Sequence, residues 1–320
     1  MRVSLLHFIS WGIVPPTPVA TGAGTSQVDD YIDQLRKARD DGFSMVWTPQ
    51  LWREPDLLTV LALALHEVRD ITVGTGVIPI QFRHPAVLAQ QALTVNLISG
   101  GRLNLGIGMT HPMISEGMYG VPWERHVRRL NEFLDGLLPL LRGEEAKATG
   151  DITSTRLAVD IPGAAAPPVY MAALGPKMLD ITARRMAGTM TWMTGPRTLA
   201  DHVLPTLERA SQRPGERAEV VAAFPICVTD RPDDARLFAA EILELYGLQP
   251  SYRAMLDREG YEGPADAAII GNEDAVAERI ESIAALGVEE LCGSVFACTA
   301  EDDARTRKLL GSMALAGGAG

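Results

Sequence analysis

One histidine stands where proton-transfer chemistry would be expected. His111 follows residues 103–108, an apolar run with glycines that has the pattern of a buried strand. The pKa of a free imidazole lies near physiological pH, so a histidine at a strand end can donate a proton to a substrate or hydrogen-bond to it. A loop histidine that only caps or packs is the alternative interpretation. We take His111 as the candidate catalytic residue.

Two strand-to-helix junctions have the residue types of an anion site. The first is Ala172-Ala173-Leu174-Gly175-Pro176-Lys177, and the second is Trp192-Met193-Thr194-Gly195-Pro196-Arg197. Glycine allows close backbone approach, proline is common in the first helical turn, and the free amides of a helix N-terminus attract anions. Ordinary strand-to-helix turns can have the same sequence. Two such junctions on adjacent strand ends nevertheless predict one shared phosphate pocket.

Further candidates follow the first three predicted strands. His7 and Phe8 follow the first strand, Gln50 and Trp52 follow the second, and Gly74-Thr75-Gly76-Val77 lies in the third. Two glycines in a strand indicate either a bulge beside a ligand or a simple kink of the sheet. The sequence contains no Gly-x-Ser-x-Gly, His-Glu-x-x-His or phosphate-loop motif. Hydrolase and metalloprotease chemistry therefore has no signature here.

The elements that would position these residues alternate along the whole chain. Short β-branched or apolar runs alternate with segments of helical period, which is typical of parallel strands joined by crossover helices. The predicted strands are residues 2–8, 43–48, 71–78, 103–108, 169–173, 189–193, 219–229 and 289–296. Eight such units in 320 residues predict an α/β fold of the closed (β/α)8 TIM-barrel type, in which functional residues gather at the strand C-termini.

Three stretches interrupt this alternation. We interpret residues 9–25, 143–168 and 247–270 as insertions, the second as a hairpin or loop and the third as an irregular region. The Gly- and Ala-rich residues 315–320 are expected to fray. The sequence thus predicts one barrel domain over residues 1–314 with inserted loops, followed by a flexible tail over 315–320.

Composition excludes several classes of protein. The chain is 47% hydrophobic and 22% charged, and no run approaches the 18 apolar residues that a membrane span needs. A formal net charge of −11 argues against a nucleic-acid partner. Three cysteines form neither a disulfide framework nor a CxxC zinc site, and the N-terminus has no signal-peptide pattern. We expect a cytoplasmic protein that acts on a small molecule and holds no metal.

Several blocks between residues 74 and 108 resemble a known superfamily. They are Gly74-Thr75-Gly76-Val77, Arg83-His84-Pro85, Leu88-Ala89-Gln90, Ser99-Gly100-Gly101-Arg102 and Leu105-Gly106-Ile107-Gly108. Together they resemble the bacterial luciferase-like superfamily. Residues 172–178 and 188–195 are similar to its deazaflavin branch, the coenzyme F420-dependent oxidoreductases. The resemblance runs from the first predicted strand to the eighth.

This resemblance implies a cofactor and its contacts. Coenzyme F420 would lie across the C-terminal mouth of a luciferase-like barrel and exchange a hydride at the deazaflavin C5 with a small organic substrate. A bulge with a non-proline cis peptide bond at Gly76–Val77 would support the ring from behind. The implied cofactor contacts are Thr75, Gly76, Val77, Gly108, Met109, Thr110, Ala173, Leu174, Gly175, Pro176, Lys177, Thr194, Gly195 and Pro196. His7, Phe8, Gln50 and Trp52 would line the substrate side.

The sequence also departs from its relatives. Sugar-phosphate dehydrogenases of this superfamily place a catalytic His after the second strand and a Glu after the fourth, where this chain has Gln50 and His111. Pro196 stands near a phosphate-contacting Lys of those relatives. Their substrate chemistry therefore does not transfer, and an FMN-dependent luciferase-like monooxygenase or a non-catalytic flavin-binding protein remains an alternative. Dimers are frequent in the superfamily, so we expect a homodimer. The apolar helices at residues 85–98 and 127–141 would supply its interface, although packing against the barrel explains them equally well.

Overall fold

Eight parallel strands close into a barrel in the computed structural model, which describes residues 1–9, 26–212 and 217–317. The strands are β1 Arg2–Leu6, β2 Met45–Thr48, β3 Thr72–Thr75, β4 Ile78–Pro79, β5 Leu103–Gly108, β6 Ala146–Ala148, β7 Thr155–Leu157, β8 Val169–Ala172, β9 Gly188–Trp192, β10 Glu219–Val228, β11 Ile269–Gly271 and β12 Glu290–Val295. The barrel order is β1-β2-β3-β5-β8-β9-β10-β12, and β12 pairs with β1 to close it. The short β4 continues β3 and pairs with β5. The predicted (β/α)8 barrel is confirmed.

Helices cover the outside of the barrel between successive strands. They are α1 Gln27–Asp40, α2 Leu57–Glu67, α3 Pro85–Ser99, α4 His126–Leu141, α5 Pro176–Arg185, α6 Pro196–Thr198, α7 Leu204–Ala210, α8 Pro232–Gly247, α9 Pro250–Glu259, α10 Glu273–Ala284 and α11 Ala300–Gly317. A π-helical turn, Leu199–Val203, joins α6 to α7 without a break. The apolar stripes of these helices pack on the outward strand residues and form the main core.

Strand alternation divides each strand between an outer and an inner core. On β9, for example, Thr189 is turned outward and its hydroxyl donates to the Met171 carbonyl, whereas Met190 packs in the inner cluster with Trp47. At the N-terminal end of the barrel, the buried Glu290 carboxylate accepts hydrogen bonds from Ser4 Oγ and Trp47 Nε1, both at 2.6 Å. This network fills the lower end, so the remaining space lies at the C-terminal ends of the strands.

The three predicted insertions have different outcomes. Residues 143–168 contain the antiparallel β6–β7 hairpin, as predicted. The prediction for 247–270 is wrong, because this stretch holds the helix α9, a short 3-10 helix at Pro264–Ala267, and β11, which extends the sheet beside β10. Of the predicted insertion 9–25, residues 10–25 lie outside the described residues.

The predicted tail also begins too early. Helix α11 continues through Gly317, and the Leu315 side chain lies against Gly42, so residues 315–317 are helical rather than frayed. Residues 318–320 lie outside the described part of the chain. Within that part, no helix is both long enough and apolar enough to span a bilayer.

Candidate active site

A cavity of about 500 Å³ opens at the C-terminal ends of the barrel strands. Small residues, namely Gly76, Ala172 and Ala223, line it together with the larger Leu6 and Met190. Aromatic side chains form much of its wall. Small residues inside a barrel leave space that larger ones would fill, so a flat ligand can enter between the strands.

A backbone bulge between β3 and β4 forms one wall of the cavity. The Gly76–Val77 peptide bond is cis, as the resemblance implied. The Gly76 N–H donates to the Thr48 carbonyl at 2.7 Å, and the Gln50 N–H approaches the Val77 carbonyl at 3.4 Å. Hydrogen bonds therefore fix the bulge to the end of β2, and Val77 lines the cavity.

Strand β5 holds the bulge from the other side. The Thr75 hydroxyl donates to the Gly106 carbonyl at 2.7 Å and accepts from the Gly106 N–H at 2.8 Å. A Cβ at Gly106 would overlap the Thr75 carbonyl oxygen, and one at Gly108 would lie 2.5 Å from Val77 Cγ2. Both glycines are needed because the bulge packs so closely on β5. Thr75 and Gly108 thus position the bulge, while Gly76 and Val77 line the cavity.

His111 lines the same cavity, just beyond the C-terminal end of β5. Its neighbours Met109 and Thr110 also line it, and the Thr110 N–H donates to Gln81 Oε1 at 3.3 Å. Burial lowers the pKa of His111, because the charged imidazolium loses its hydration there. His111 is therefore a neutral imidazole at pH 7, with its ring centroid 6.1 Å from that of Tyr252.

Of the four residues expected on the substrate side, three line the cavity and one does not. Phe8 and Trp52 line the cavity, with Trp52 43% exposed. Gln50 also lines it, but its amide serves the start of α2, since Oε1 accepts from the Leu57 N–H at 2.7 Å and Nε2 donates to the Leu51 carbonyl. Gln50 is thus engaged in the protein's own hydrogen bonds.

His7 lies on the other face of its strand. Because side chains alternate along β1, Leu6 and Phe8 face the cavity and His7 faces α1, where its ring stacks on Tyr31 with centroids 6.4 Å apart. Burial, together with the charges of Arg307 and Lys37, lowers the pKa of His7 to about 3. Among the described residues His7 is thus not brought to the cavity.

Aromatic side chains of β9, α8 and α9, which the sequence did not bring together, form another part of the cavity wall. The Trp192 and Tyr246 rings meet edge to face at 5.9 Å, and Tyr246 meets Tyr252 in the same way at 5.3 Å. We call Trp192, Tyr246, Tyr252 and His111 the aromatic cluster. Tyr246 ends α8 and Tyr252 begins α9, in or beside the stretch that we had interpreted as irregular. Sequence reasoning missed them for that reason.

The first predicted anion junction is open. Gly175, Pro176 and Lys177 at the start of α5 are exposed, and a Cβ at Gly175 would have no heavy atom within 4 Å. The preceding loop is fixed, because His202 Nε2 donates to the Leu174 carbonyl at 2.8 Å and Ala173 is buried. The amides of this N-terminus are therefore accessible to an external anion.

The second predicted anion junction is already filled. Glu259, the last residue of α9, accepts hydrogen bonds from the Arg197 N–H at 3.3 Å and from the Thr198 N–H. Its carboxylate also occupies the space beside Gly195, where a Cβ would collide with it. Thr194 is buried just before this junction, and Pro196 opens α6. A carboxylate of the protein itself thus stands where we predicted the second half of a phosphate pocket.

The helix that carries Glu259 does have a sequence signal. Pro250 occupies its first turn and Gly260 follows its end with a φ of +78°. Proline at the start and glycine just past the end are typical helix boundaries, so residues 250–259 could have been predicted as a helix.

No group of three or more His, Cys, Asp or Glu side chains suited to a metal ion occurs within the described residues. The three cysteines are free thiols, with Cys227 and Cys292 buried and Cys298 exposed.

A family model described as luciferase-like monooxygenase matches residues 9–290. The chain belongs to the luciferase-like monooxygenase family. Among curated relatives, it is 27% identical to the 5,10-methylenetetrahydromethanopterin reductase of Methanolobus tindarius over 84% of this chain and 82% of that protein. It is also 27% identical to a putative coenzyme F420-dependent oxidoreductase of Mycobacterium tuberculosis, over 72% of this chain and 67% of that protein.

Solved structures share the fold of this luciferase-like protein over nearly its whole length. The coenzyme F420-dependent tetrahydromethanopterin reductase of Methanopyrus kandleri has a TM-score of 0.77 at 18% identity, covering 97% of each chain. The oxygenating constituent of 3,6-diketocamphane monooxygenase from Pseudomonas putida, in complex with FMN, has a TM-score of 0.72 at 17% identity, covering 98% of this chain and 97% of that one. The predicted superfamily and barrel type are confirmed.

Proposed function

We propose that this protein is an F420-dependent oxidoreductase that transfers a hydride between the deazaflavin C5 and a small organic substrate. The observation that carries the proposal is the Gly76–Val77 bulge, which faces a cavity at the same barrel end as the open α5 N-terminus. The similarity to a relative named as F420-dependent supports the choice of cofactor.

The residues present fit such a cofactor at two places. The cavity, lined by Val77 and by the small residues Gly76, Ala172 and Ala223, suits a flat tricyclic ring. The exposed start of α5, where Lys177 carries the first helical N–H because Pro176 has none, suits the phosphate of the cofactor tail. The α6 N-terminus suits it less, because Glu259 already accepts hydrogen bonds from its amides. We therefore assign the phosphate to α5, with Gly175, Pro176 and Lys177 as its contacts.

The protein's own groups would orient the reactants and exclude water. When bound, F420 supplies hydride donation or acceptance at C5, and the hydride chemistry belongs to the cofactor. Val77 would support the ring from one side, and Met109 and Thr110, which also line the cavity, would border it. His111 is positioned to hold a hydrogen bond to the substrate and to move a proton, since its imidazole lines the cavity.

An FMN-dependent monooxygenase is the second candidate, favoured by the fold it shares with an FMN-bound monooxygenase. A fluorescence titration of the purified protein with F420, beside an identical titration with FMN, separates the two. We expect saturable micromolar binding of F420 and weaker binding of FMN. Preferential binding of FMN would instead favour the monooxygenase. Binding of neither would overturn both proposals, and steady-state turnover would exclude a non-catalytic flavin-binding protein.

A pair of variants tests the phosphate assignment. Gly175→Val places a branched side chain over the α5 amides without crowding the fold, because a Cβ there meets nothing within 4 Å. We expect F420 affinity to fall about tenfold. Gly263→Val is the matched control, since its Cβ also meets nothing and the residue does not line the cavity. Equal F420 affinity of the two variants would contradict the assignment.

We further propose a cytoplasmic homodimer that joins through α2 and α3. Leu63, Val87 and Leu97 on these helices are 43–46% exposed, and such a dimer would cover them. Size-exclusion chromatography with light scattering would give the mass of the assembly. We expect a dimer that Val87→Glu and Leu97→Glu together convert to a monomer. A monomeric wild-type protein would refute this.

A further inference from the structure

The wall of the cavity is rich in aromatic side chains. Among the described residues, seven that line it are Phe, Trp or Tyr, whereas these types make up 6% of the chain. Beyond the aromatic cluster, Phe82 and Tyr119 stack with centroids 3.9 Å apart. These rings come from separate elements, so the fold gathers them at one place. Ring faces of this kind bind planar apolar or cationic groups.

Charge is distributed unequally over the same wall. The one cationic side chain among the described lining residues is Arg83, and it forms an ion pair with Asp56. Asp56 is fixed in turn, because it caps α2 through the Thr59 N–H at 3.1 Å. The charge of Arg83 is therefore already paired within the protein. Glu54 and Asp56 are the carboxylates among the described lining residues, and the paired Arg83 is the cation among them.

The polar groups of the aromatic cluster are uncharged. Burial raises the pKa of Tyr246 and Tyr252, so their hydroxyl groups stay protonated at pH 7. Burial likewise keeps His111 neutral by lowering its pKa. An anionic substrate would lose its hydration here without meeting a free cation, which is strongly unfavourable.

We propose that the substrate of this site is a planar aromatic compound that is neutral or cationic, and that carboxylates and phosphate esters are rejected. The aromatic cluster would stack on the substrate ring, and its ring faces would also accept a positive charge. The inference rests on the proposed function, because it names the substrate class of the same site.

Three probes of one shape test it. Naphthalene-2-carboxamide is neutral, naphthalene-2-carboxylate is anionic, and 1-methylquinolinium is cationic, while all three have two fused aromatic rings. Isothermal titration calorimetry would measure their affinities for the protein saturated with F420 and for the protein without it. We expect the amide and the cation each to bind at least tenfold more tightly than the carboxylate. Affinity of the carboxylate within threefold of that of the amide would overturn the proposal.

Variants locate the binding. Tyr252→Leu removes one ring of the aromatic cluster and is expected to weaken the amide at least fivefold. Tyr261→Leu is the matched control, because Tyr261 lies in the same region but does not line the cavity. Equal amide affinity of the two tyrosine variants would place binding outside the cluster and overturn the inference.

The two proposals fail in distinguishable ways. F420 binding is measured by its own titration, and its absence would refute the proposed cofactor. The order of the three probes on the F420-free protein would still decide the charge preference of the cavity.

Discussion

The carboxylate of Glu259 leads to a sharp prediction about cofactor binding. It accepts hydrogen bonds from two backbone amides at the start of α6, next to the α5 N-terminus to which we assign the phosphate. Both junctions follow neighbouring strands, β8 and β9. A negative charge at the second junction would repel a phosphate at the first. Glu259→Gln should therefore tighten F420 binding, because it removes the charge and keeps one acceptor oxygen.

The size of the effect follows from the setting of the carboxylate. A charge at a helix N-terminus contributes about 0.3–1 kcal/mol when exposed and up to about 2 kcal/mol when partly buried. Glu259 is half-buried, so we take about 1 kcal/mol. If the phosphate regains that amount, the Kd for F420 falls about fivefold. The same change removes a favourable interaction at α6, so the free energy of unfolding should fall by about 1 kcal/mol.

Fluorescence titrations with two ligands would isolate the contribution of the phosphate. F420 carries it, whereas the phosphate-free deazaflavin chromophore has the same ring without it. We expect Glu259→Gln to tighten F420 alone, and urea unfolding to report the loss of stability. Glu262→Gln is the matched control, because Glu262 is exposed in the same region and its replacement removes the same charge.

Two results would refute this reasoning. If Glu262→Gln tightened F420 equally, the effect would be one of net charge and not of position. If Glu259→Gln weakened F420, the carboxylate would support the site instead of competing with its ligand.

Three further predictions concern single residues. His111→Ala should slow turnover about 100-fold and spare F420 binding, as expected for loss of a proton donor. Since burial lowers the pKa of His111, the wild-type rate should decline with rising pH from below pH 6.5. Unchanged turnover in the variant would remove His111 from the mechanism. The free energy of unfolding should fall by about 2 kcal/mol as the pH drops from 6.5 to 5, because His7 has a pKa of about 3 when folded and about 6.5 when unfolded. Urea unfolding of His7→Gln should lose this pH dependence. If the variant kept it, other groups would be responsible. Gly106→Ala should lower the free energy of unfolding by more than about 3 kcal/mol, because its Cβ would overlap the Thr75 carbonyl, whereas Gly117→Ala, with open space at its Cβ, should stay within about 0.5 kcal/mol of wild type.

Periodicity and spacing predicted the elements whose residues repeat regularly. The barrel strands and the β6–β7 hairpin follow from apolar alternation and turn residues, and both are confirmed. The cis bond at Gly76–Val77 came from resemblance alone, because no local pattern distinguishes a bulge from a kink. Helix α9 was missed since a ten-residue helix with one buried turn has a weak apolar stripe, and only its Pro and Gly boundaries indicate it.

The candidate site was predicted less completely than the fold. Residues directly after strands, such as Phe8 and His111, reach the cavity as expected. His7 does not, because a shift of one residue along a strand reverses the face, and the pattern did not fix where β1 ends. Glu259 contacts Thr198 and Tyr252 contacts His111, each more than 50 residues away in the sequence, so no local signal could place them there.

The Glu290 network also constrains how the chain can be synthesised and folded. Its hydrogen bonds join Ser4 and Trp47 to a residue that follows them by 286 and 243 positions, and β1 pairs with β12 over a similar separation. Until β12 emerges, β1 presents an unpaired edge, and the hydroxyl of Ser4 and the indole of Trp47 lack their carboxylate. Closure of the barrel is therefore a long-range step that must wait until β12 has been synthesised. Until then, the exposed strand edges are vulnerable to aggregation.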